Sequence, residues 1–240
     1  MIVTEKFYVG FKDIKENLDI KNASLLTFLE NIAGIHANSV GDGFRETINT
    51  THTTWLLLSW KVKILKSPSF GEKVEVSTWV RETKRIYSKR EFEVKSEAGE
   101  MLAVASSVWV RINVEKKMPE SCSLQLSQKY GVCEKTNFPE DKMINLKEPE
   151  NVYSKKEFTV NEFLIDMNYH MNNTHYVTLA ELALGNSLPK SIKGFEVMYK
   201  KEIKKADKIK CLCGKEDGNL TVAIKSFDEN TLHAIIKFYL

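Results

Sequence analysis

The chain has 240 residues, of which 42% are hydrophobic, enough for one large or two small buried cores. Its formal net charge of +3 at pH 7 is too small to indicate a general nucleic-acid-binding protein. No apolar run is long enough to cross a bilayer and the first residues lack a signal-peptide core, so we expect a cytoplasmic protein without membrane insertion.

The first half of the chain has the pattern of one long helix followed by strands. Apolar spacing predicts a helix over 23–40, with Leu25, Leu29, Ile32 and Ala33 inward and Gly41 beyond its end. The segments that predict strands are rich in Val, Trp, Phe and Ile, and they are 55–64, 73–81, 86–95 and 101–114. Residues 119–150 are polar with three prolines and predict a linker.

The second half repeats this order. A helix is predicted over 174–184, ended by Gly185, and the predicted strands are 193–203, 208–213, 220–227 and 232–240. Sliding the chain by 151 positions places Phe7 on Phe158, Asn17 on Asn168 and Asn22 on Asn173. The pattern therefore indicates two copies of one unit in which a strand, a turn and a helix precede further strands.

The segment 166–170, reading Asp-Met-Asn-Tyr-His, is the densest group of chemically useful side chains. Asp166, Asn168 and His170 occupy every second position, so an extended backbone would place them on one face. Met167 and Tyr169 would then point the other way. This arrangement predicts a polar site on one side of the segment.

Two asparagines continue the segment into the predicted helix. Asn172 and Asn173 suit an N-cap, and the free N–H groups of a helix N-terminus could stabilise an anionic intermediate beside His170. From the residues alone a second interpretation stays open. Asn and Asp gather before helices because they cap them, and a single histidine is often a surface or packed residue.

The stretch 164–173 resembles the active-site segment of hotdog-fold thioesterases, in particular the acyl-acyl-carrier-protein thioesterases of plants and bacteria. In that family the segment has the form Asp-x-Asn-x-His-x-Asn-Asn, which this chain matches from Asp166 to Asn173. The segments 71–80 and 109–113 are similar to strands of the family's first domain. The resemblance thus extends over most of the chain and is weakest in the linker and at the C-terminal end.

The resemblance implies an α+β fold, a double hotdog in which each unit has a long helix wrapped by a curved antiparallel β-sheet. Residues 1–118 would be the N-terminal hotdog domain, a scaffold that contributes the acyl-chain pocket. Residues 119–150 would be the linker, and residues 151–240 the catalytic C-terminal hotdog domain. The first copy has Lys15, Asn17 and Asp19 where the second has the motif, so one active site per chain is expected.

The resemblance also supplies a second catalytic group. The family has a strand reading roughly Tyr-Arg-Arg-Glu-Cys after the helix, and 199–203 stands in that place as Tyr-Lys-Lys-Glu-Ile. The resemblance therefore implies that Glu202 is the catalytic carboxylate. The alternative interpretation is that Glu202 is an exposed strand carboxylate among lysines. The neighbouring cysteine does not carry over, because position 203 is Ile.

These residues suggest direct attack of water on a thioester. Glu202 and His170 would position and deprotonate the water, Asn168 would donate to the oxyanion or hold the water, and Asp166 would orient that group. Backbone N–H groups near Asn172 and Asn173 would complete the oxyanion site. No metal or organic cofactor is required, and the four cysteines show neither zinc-ligand nor disulfide spacing.

The expected function is hydrolysis of fatty acyl-acyl-carrier-protein to free fatty acid. Because carrier protein is acidic, the basic clusters at 81–85 and 89–90 and the lysines of 200–210 are candidate docking residues, although lysines also serve simply to solvate strand edges. An acyl-coenzyme A thioesterase and a non-catalytic acyl-thioester sensor are the alternatives. A homodimer is left open.

Overall fold

Two compact units make up the chain in a computed structural model, which describes residues 1–140 and 142–240. The first unit comprises Met1–Leu58 and Ile64–Lys142, and the second comprises Ser59–Lys63 and Met143–Leu240. Asp141, in the predicted linker, lies outside the described residues.

The first unit is an antiparallel sheet with one long helix. Its elements in chain order are β1 (Val3–Tyr8), α1 (Asn22–Ser39), α2 (Phe44–Thr50), β2 (Thr53–Ile64, of which Ser59–Lys63 belong to the second unit), β3 (Lys73–Lys84), β4 (Tyr87–Ser96), β5 (Met101–Asn113), β6 (Met118–Pro119) and α3 (Leu124–Tyr130). Strands β1, β3, β4 and β5 pair in that spatial order, and β6 pairs with β5. Helix α1 packs on β1 and β3.

Helix α1 forms where the apolar spacing predicts it. Leu25 and Ile32 have no exposed surface, Leu29 is 1% exposed, and Ala33 is also buried, which confirms the four inward positions. Burial of three large aliphatic side chains stabilises this packing by roughly 1.5–3 kcal/mol apiece. The four predicted strands are confirmed as β2 to β5, with ends that differ by a few residues.

The second unit has the same plan. It contains β7 (Val152–Thr159), α4 (Asn173–Leu184), β8 (Gly194–Tyr199), β9 (Lys208–Glu216), β10 (Asn219–Ser226) and β11 (Leu232–Tyr239). The antiparallel order is β8, β11, β10, β9, β7, and residues 59–63 of β2 pair with β8. Helix α4 packs on β9, β10 and β11, and Gly185 ends it with φ 50°, as the sequence predicts.

Residues 119–150 are more ordered than the linker prediction implies. Helix α3 has Leu126 and Tyr130 buried against Val80 in the first unit. Ile144 and Leu146 pack against the core of the second unit. The sequence shows no sign of the helix at 124–130 within the predicted linker, because a helix of two turns with only two apolar anchors is too short to show a 3.6-residue period. Helix α2, which is short and mostly polar, escapes sequence prediction for the same reason.

The structure confirms the internal repeat at the level of backbone geometry. A one-residue bridge joins Ile14 to Ile20 in the first unit and Ile165 to Met171 in the second. Leu18 and Tyr169 both have positive φ, 68° and 63°. Each of these positions differs from its counterpart by 151, the shift found in the sequence. A turn of this kind before a long helix is thus a shared device of both units.

Among the described residues, no helix has both the length and the apolar character to span a bilayer.

Candidate active site

The motif residues lie in a tight turn, and the extended conformation considered for them is wrong. Asp166 N–H donates to the carbonyl of His170 at 2.8 Å, and Tyr169 N–H donates to the carbonyl of Asp166 at 3.1 Å. Asn168 N–H donates to Oδ1 of Asp166 at 2.7 Å. The Asp166 carboxylate thus organises the turn, which is a familiar role of aspartate in loops.

The turn also changes where the apolar residues of the segment point. Met167 is 69% exposed and Tyr169 is 82% exposed. Alternation along a strand would have placed these two side chains on the face opposite the polar residues, but the turn presents both to solvent. Asn168 Nδ2 lies 3.5 Å from Oδ2 of Asp166, so the two polar side chains remain close to each other.

His170 and Glu202 meet although 32 positions separate them in the chain. Nε2 of His170 lies 3.2 Å from Oε1 of Glu202, which is within hydrogen-bonding distance. A backbone bridge between His170 and Lys204 holds the two loops together, and Met171 N–H donates to the carbonyl of Ile203 at 2.8 Å. The predicted pairing of imidazole and carboxylate therefore rests on backbone contacts on both sides.

Glu202 lies in a loop and not on a strand, which corrects the strand predicted over 193–203. Strand β8 ends at Tyr199, and the N–H groups of Lys200 and Lys201 both turn to the carbonyl of His233, at 2.8 and 3.2 Å. Because both amides point to one carbonyl, the chain leaves the sheet here and Glu202 can face His170.

The site is partly open to solvent. The side chain of His170 is 33% exposed and that of Glu202 is 50% exposed. Lys204 Nζ stands 3.9 Å from the same Glu202 oxygen, so the carboxylate has two cationic or potentially cationic neighbours. When the imidazole is neutral, a proton on Nε2 would face Glu202 and leave Nδ1 as the basic nitrogen. Such an arrangement can position and deprotonate a water molecule.

Two tyrosines that the sequence did not assign to the site lie next to it. Tyr199 donates to the carbonyl of Asn173 at 3.0 Å, and its ring meets that of Tyr176 edge to face at 5.3 Å. Burial, with the negative charges of Glu202 and Asp166 adding to it, raises the pKa of Tyr176 well above its usual value. Tyr176 therefore stays neutral. The helical spacing had marked it only as an inward residue.

The helix N-terminus beside the turn has most of its amides engaged. Asn172 N–H donates to the carbonyl of Leu164 at 2.9 Å, Thr174 N–H donates to Oδ1 of Asn172 at 3.0 Å, and His175 N–H donates to the Asn172 carbonyl at 3.0 Å. This confirms the predicted N-cap role of Asn172. Asn173 is the first residue of α4, a position whose N–H group has no partner within the helix.

The equivalent place in the first unit lacks this chemistry. Asp19 bridges to Ser69 there as His170 bridges to Lys204, so Asp19 corresponds to His170 and Ser67 to Glu202. Asn17 Nδ2 donates to Oδ2 of Asp19 at 2.7 Å. The first turn is therefore closed by its own side chains and has neither imidazole nor a facing carboxylate.

The cysteines are poorly placed for nucleophilic catalysis. Cys211 and Cys213 have no exposed surface in β9, and burial raises their pKa values to about 12 and about 11. A thiol must ionise to attack a thioester efficiently. Cys122 and Cys133 are half-buried and belong to the first unit. Within the described part of the chain, no cluster of three or more His, Cys, Asp or Glu residues is arranged to hold a metal ion.

The first unit contains a half-open cavity of about 190 Å³ beside α1. Its lining mixes aromatic and polar side chains: Glu30, Ala33, Gly34, Asp42, Phe44, Thr47, Thr54, Trp55, Ser88, Arg90, Trp109 and Tyr130. Asp42 accepts hydrogen bonds from Trp55, at 2.7 Å, and from Tyr130, at 2.8 Å. Arg90 donates to Nδ1 of His36 at 3.0 Å.

Burial and the neighbouring guanidinium lower the pKa of His36 to about 3. The imidazole is therefore neutral near pH 7. Because its Nδ1 accepts from Arg90, its proton is on Nε2. The polar network of the cavity thus includes aromatic lining residues, because Trp55 and Tyr130 both donate to Asp42.

Solved structures with the same fold cover nearly the whole chain. An acyl-ACP thioesterase from Bacteroides thetaiotaomicron aligns with a TM-score of 0.86 at 24% identity, covering 99% of this chain and 97% of that one. The 12:0-ACP thioesterase from Umbellularia californica aligns with a TM-score of 0.86 at 18% identity, covering 99% and 96%. At these identities the similarity establishes the fold, an α+β architecture of antiparallel sheet and few helices.

Family models identify the chain more closely. Residues 1–130 match the acyl-ACP thioesterase N-terminal domain, and residues 147–238 match the acyl-ACP thioesterase C-terminal domain. The protein therefore belongs to the acyl-ACP thioesterase family.

Curated relatives agree with this assignment. The chain is 29% identical to the oleoyl-acyl carrier protein thioesterase of Coriandrum sativum, over 83% of this chain and 56% of the relative. It is 25% identical to the palmitoyl-acyl carrier protein thioesterase of Arabidopsis thaliana, over 93% and 58%. The chain thus spans little more than half the length of these relatives. Both are named chloroplastic, and the cytoplasmic location of this chain stays a prediction.

Proposed function

We propose that this protein hydrolyses the thioester of fatty acyl-acyl-carrier-protein and releases free fatty acid. The observation that carries the proposal is the 3.2 Å approach of His170 Nε2 to Glu202 Oε1 beside a helix N-terminus. Family membership supplies the substrate class. The first unit has Asp19 and Ser67 at the corresponding positions, so the pairing is a feature of one unit and not a requirement of the fold.

In the proposed reaction, water attacks the carbonyl carbon of the thioester. The pair of His170 and Glu202 accepts the proton of the water, and the carbonyl oxygen becomes an oxyanion. Collapse of the tetrahedral intermediate breaks the carbon–sulfur bond and expels the carrier's thiolate, leaving a fatty acid. Because a thiolate is a good leaving group, most of the rate enhancement must come from a positioned base and from stabilisation of the oxyanion.

In the proposed reaction, the Asn168 side chain and the backbone N–H of Asn173 donate hydrogen bonds to the oxyanion. The neighbouring amides of Asn172, Thr174 and His175 are engaged in capping contacts. The Asn173 amide belongs to the first turn of α4, where the positive end of the helix dipole favours an anion. Asp166 acts as a positioning residue, because its carboxylate holds the Asn168 backbone at 2.7 Å.

Each unit in the proposal is a hotdog unit, with residues 1–118 as scaffold and residues 151–240 as the catalytic part. The first unit contributes the acyl-chain pocket. Phe44, Trp55 and Trp109 supply apolar surface to its cavity, which is the chemistry that a hydrocarbon chain needs.

Release of free thiol from acyl-acyl-carrier-protein, measured beside acyl-coenzyme A, tests the proposal. We expect His170→Ala and Asn168→Ala each to lower kcat by about 10²- to 10⁴-fold in a folded protein. The matched controls are Asp19→Ala and Asn17→Ala, which change the corresponding turn of the first unit. Binding of acyl thioester without thiol release would identify a sensor, and a folded His170→Ala protein with near-normal turnover would dismiss the site.

A further inference from the structure

Three large apolar side chains project into solvent around the candidate active site. Phe163 is 92% exposed, Met167 is 69% exposed and Tyr169 is 82% exposed. Single exposed apolar residues are ordinary, but a group of them within seven positions marks an interaction surface. These three flank the turn that holds His170, so the surface and the site share one loop.

The backbone fixes this exposure. Phe163 N–H donates to the side chain of Asn161 at 3.1 Å in a 3₁₀ turn, and Tyr169 has φ 63°. Positive φ is unusual for a bulky residue and persists only where surrounding contacts impose it. The side chains are therefore presented in an ordered loop, which lowers the entropy lost when a partner binds.

The fold itself does not require these residue types. The first unit has Lys12, Glu16 and Leu18 at the positions that correspond to the three apolar residues, by the same shift of 151. Leu18 has the same backbone conformation as Tyr169, with φ 68°. Two of the three equivalents are charged, so the fold does not require three apolar residues here, although the first unit also exposes Phe11 at 82% and Leu18 at 53%.

A basic rim borders this apolar group. The loop 200–208 contains five lysines against two carboxylates, Glu202 and Asp207. Lys204 bridges to His170 through the backbone, and Lys205 Nζ lies 3.1 Å from the carboxylate of Glu162, next to Phe163. A groove of about 370 Å³ is lined by Lys201, Lys204 and Lys208 together with Glu202 and Asp207. Apolar centre and basic rim together complement an acidic protein with an apolar patch.

We propose that Phe163, Met167 and Tyr169 are the apolar centre of the surface on which the acidic acyl carrier protein docks, with the lysines of 200–208 as its rim. This inference rests on the proposed function, because the docked partner delivers its thioester to His170. The carrier's negative charge selects it over an uncharged partner, and the three apolar side chains supply contact area that lysines alone cannot.

The test compares two substrates and one non-hydrolysable ligand in the full chain. Phe163→Ser is assayed with acyl-acyl-carrier-protein and with the same acyl group on pantetheine. Binding is measured by calorimetry with carrier protein that bears an acyl amide in place of the thioester. We expect the ratio of the two kcat/KM values to shift about tenfold against the carrier, and Kd for the amide carrier to rise about tenfold. Leu124→Ser, which changes another exposed apolar residue, should alter neither quantity.

Other outcomes overturn the inference. An equal loss on both substrates would make Phe163 a support of the catalytic loop, and an unchanged ratio with unchanged Kd would remove it from the surface. Wild-type binding to anionic phospholipid vesicles that Phe163→Ser abolishes would assign the patch to a lipid surface. A wild-type dimer that the substitution dissociates would assign it to a second copy. If the wild type turned over neither substrate, the proposed function would be wrong. The Kd for the amide-bearing carrier protein would still test the docking surface.

Discussion

Replacing Glu202 by Gln distinguishes the proposed catalytic role of its carboxylate from a purely structural role in this loop. Glutamine keeps the size of the side chain and removes its charge and basicity. In the native protein Oε1 of Glu202 lies 3.2 Å from His170 Nε2 and 3.9 Å from Lys204 Nζ. The substitution therefore removes one anion from between two nitrogen groups and leaves the backbone contacts of the loop intact.

The expected losses of rate and of stability differ in size. A positioned acid–base group typically contributes about 10²- to 10⁴-fold to the rate, which corresponds to about 3–5 kcal/mol of transition-state stabilisation. The pair is 33% and 50% exposed, and ion pairs this accessible to water contribute about 0–1 kcal/mol to folding. Glu202→Gln should thus lose nearly all activity while its free energy of unfolding changes little.

Thiol release at saturating acyl-acyl-carrier-protein measures the rate, and urea unfolding measures the stability. The matched control is Glu229→Gln, which removes another carboxylate of the same unit that is ion-paired with a lysine, Lys155, at 2.9 Å. The control should keep its activity. A Glu202→Gln protein that is folded and retains kcat within tenfold of the wild type would refute the proposed catalytic role of the Glu202 carboxylate.

Four further expectations follow from the same geometry. Replacing all four cysteines by Ala should leave most activity, because Cys211 and Cys213 are buried thiols with raised pKa values; a trapped acyl-cysteine would reassign the nucleophile. Gly34→Leu should lower kcat/KM for long acyl chains more than for short ones, because Gly34 lines the cavity and an added Cβ there meets no heavy atom within 4 Å. Gly34→Ala, which stabilises a helix by roughly 0.5–1 kcal/mol, is the control. An unchanged chain-length profile for the leucine variant would place the acyl chain elsewhere. Acidification from pH 7 to pH 5 should reduce the free energy of unfolding by about 2 kcal/mol through His36, because its pKa is lower in the folded state and the unfolded state therefore takes up the proton first. Urea unfolding of His36→Gln should show a free energy of unfolding that lacks this part of the pH dependence. The same pH dependence in the wild type and in the variant would contradict the prediction. Rising ionic strength should lower kcat/KM for acyl-acyl-carrier-protein steeply and for a short neutral thioester little, and equal responses would reduce the lysines to a solvated face.

Local patterns in the sequence were sufficient for most of the secondary structure. Apolar residues that recur with the period of a helix marked α1 and α4, and runs of β-branched and aromatic residues marked eight strands. The shift of 151 positions revealed the repeat, which the structure reproduces in the bridges of Ile14 with Ile20 and Ile165 with Met171. The helix and strand patterns are readable because they depend on residues close together in the chain, and the repeat is readable because the same local pattern occurs twice.

The sequence pattern did not predict short helices that have few buried apolar residues. Helix α3 is fixed by Leu126 and Tyr130 against Val80, and that contact joins parts of the chain more than forty positions apart. The same limit applies to the network in which Asp42 accepts from Trp55 and Tyr130. Nothing in the local sequence distinguishes such buried polar residues from solvated ones, because burial is decided by what packs over them.

The candidate site shows the same division. The residue types at 166–173, and by resemblance Glu202, came from the sequence alone, and their catalytic roles stay predictions. Only the tertiary structure decided that Asp166 to His170 form a turn, that β8 ends at Tyr199, and that Glu202 then reaches His170. The physical reason is that side-chain alternation describes a strand, whereas the geometry of a loop is set by hydrogen bonds to distant backbone, here those of Ile203 and His233.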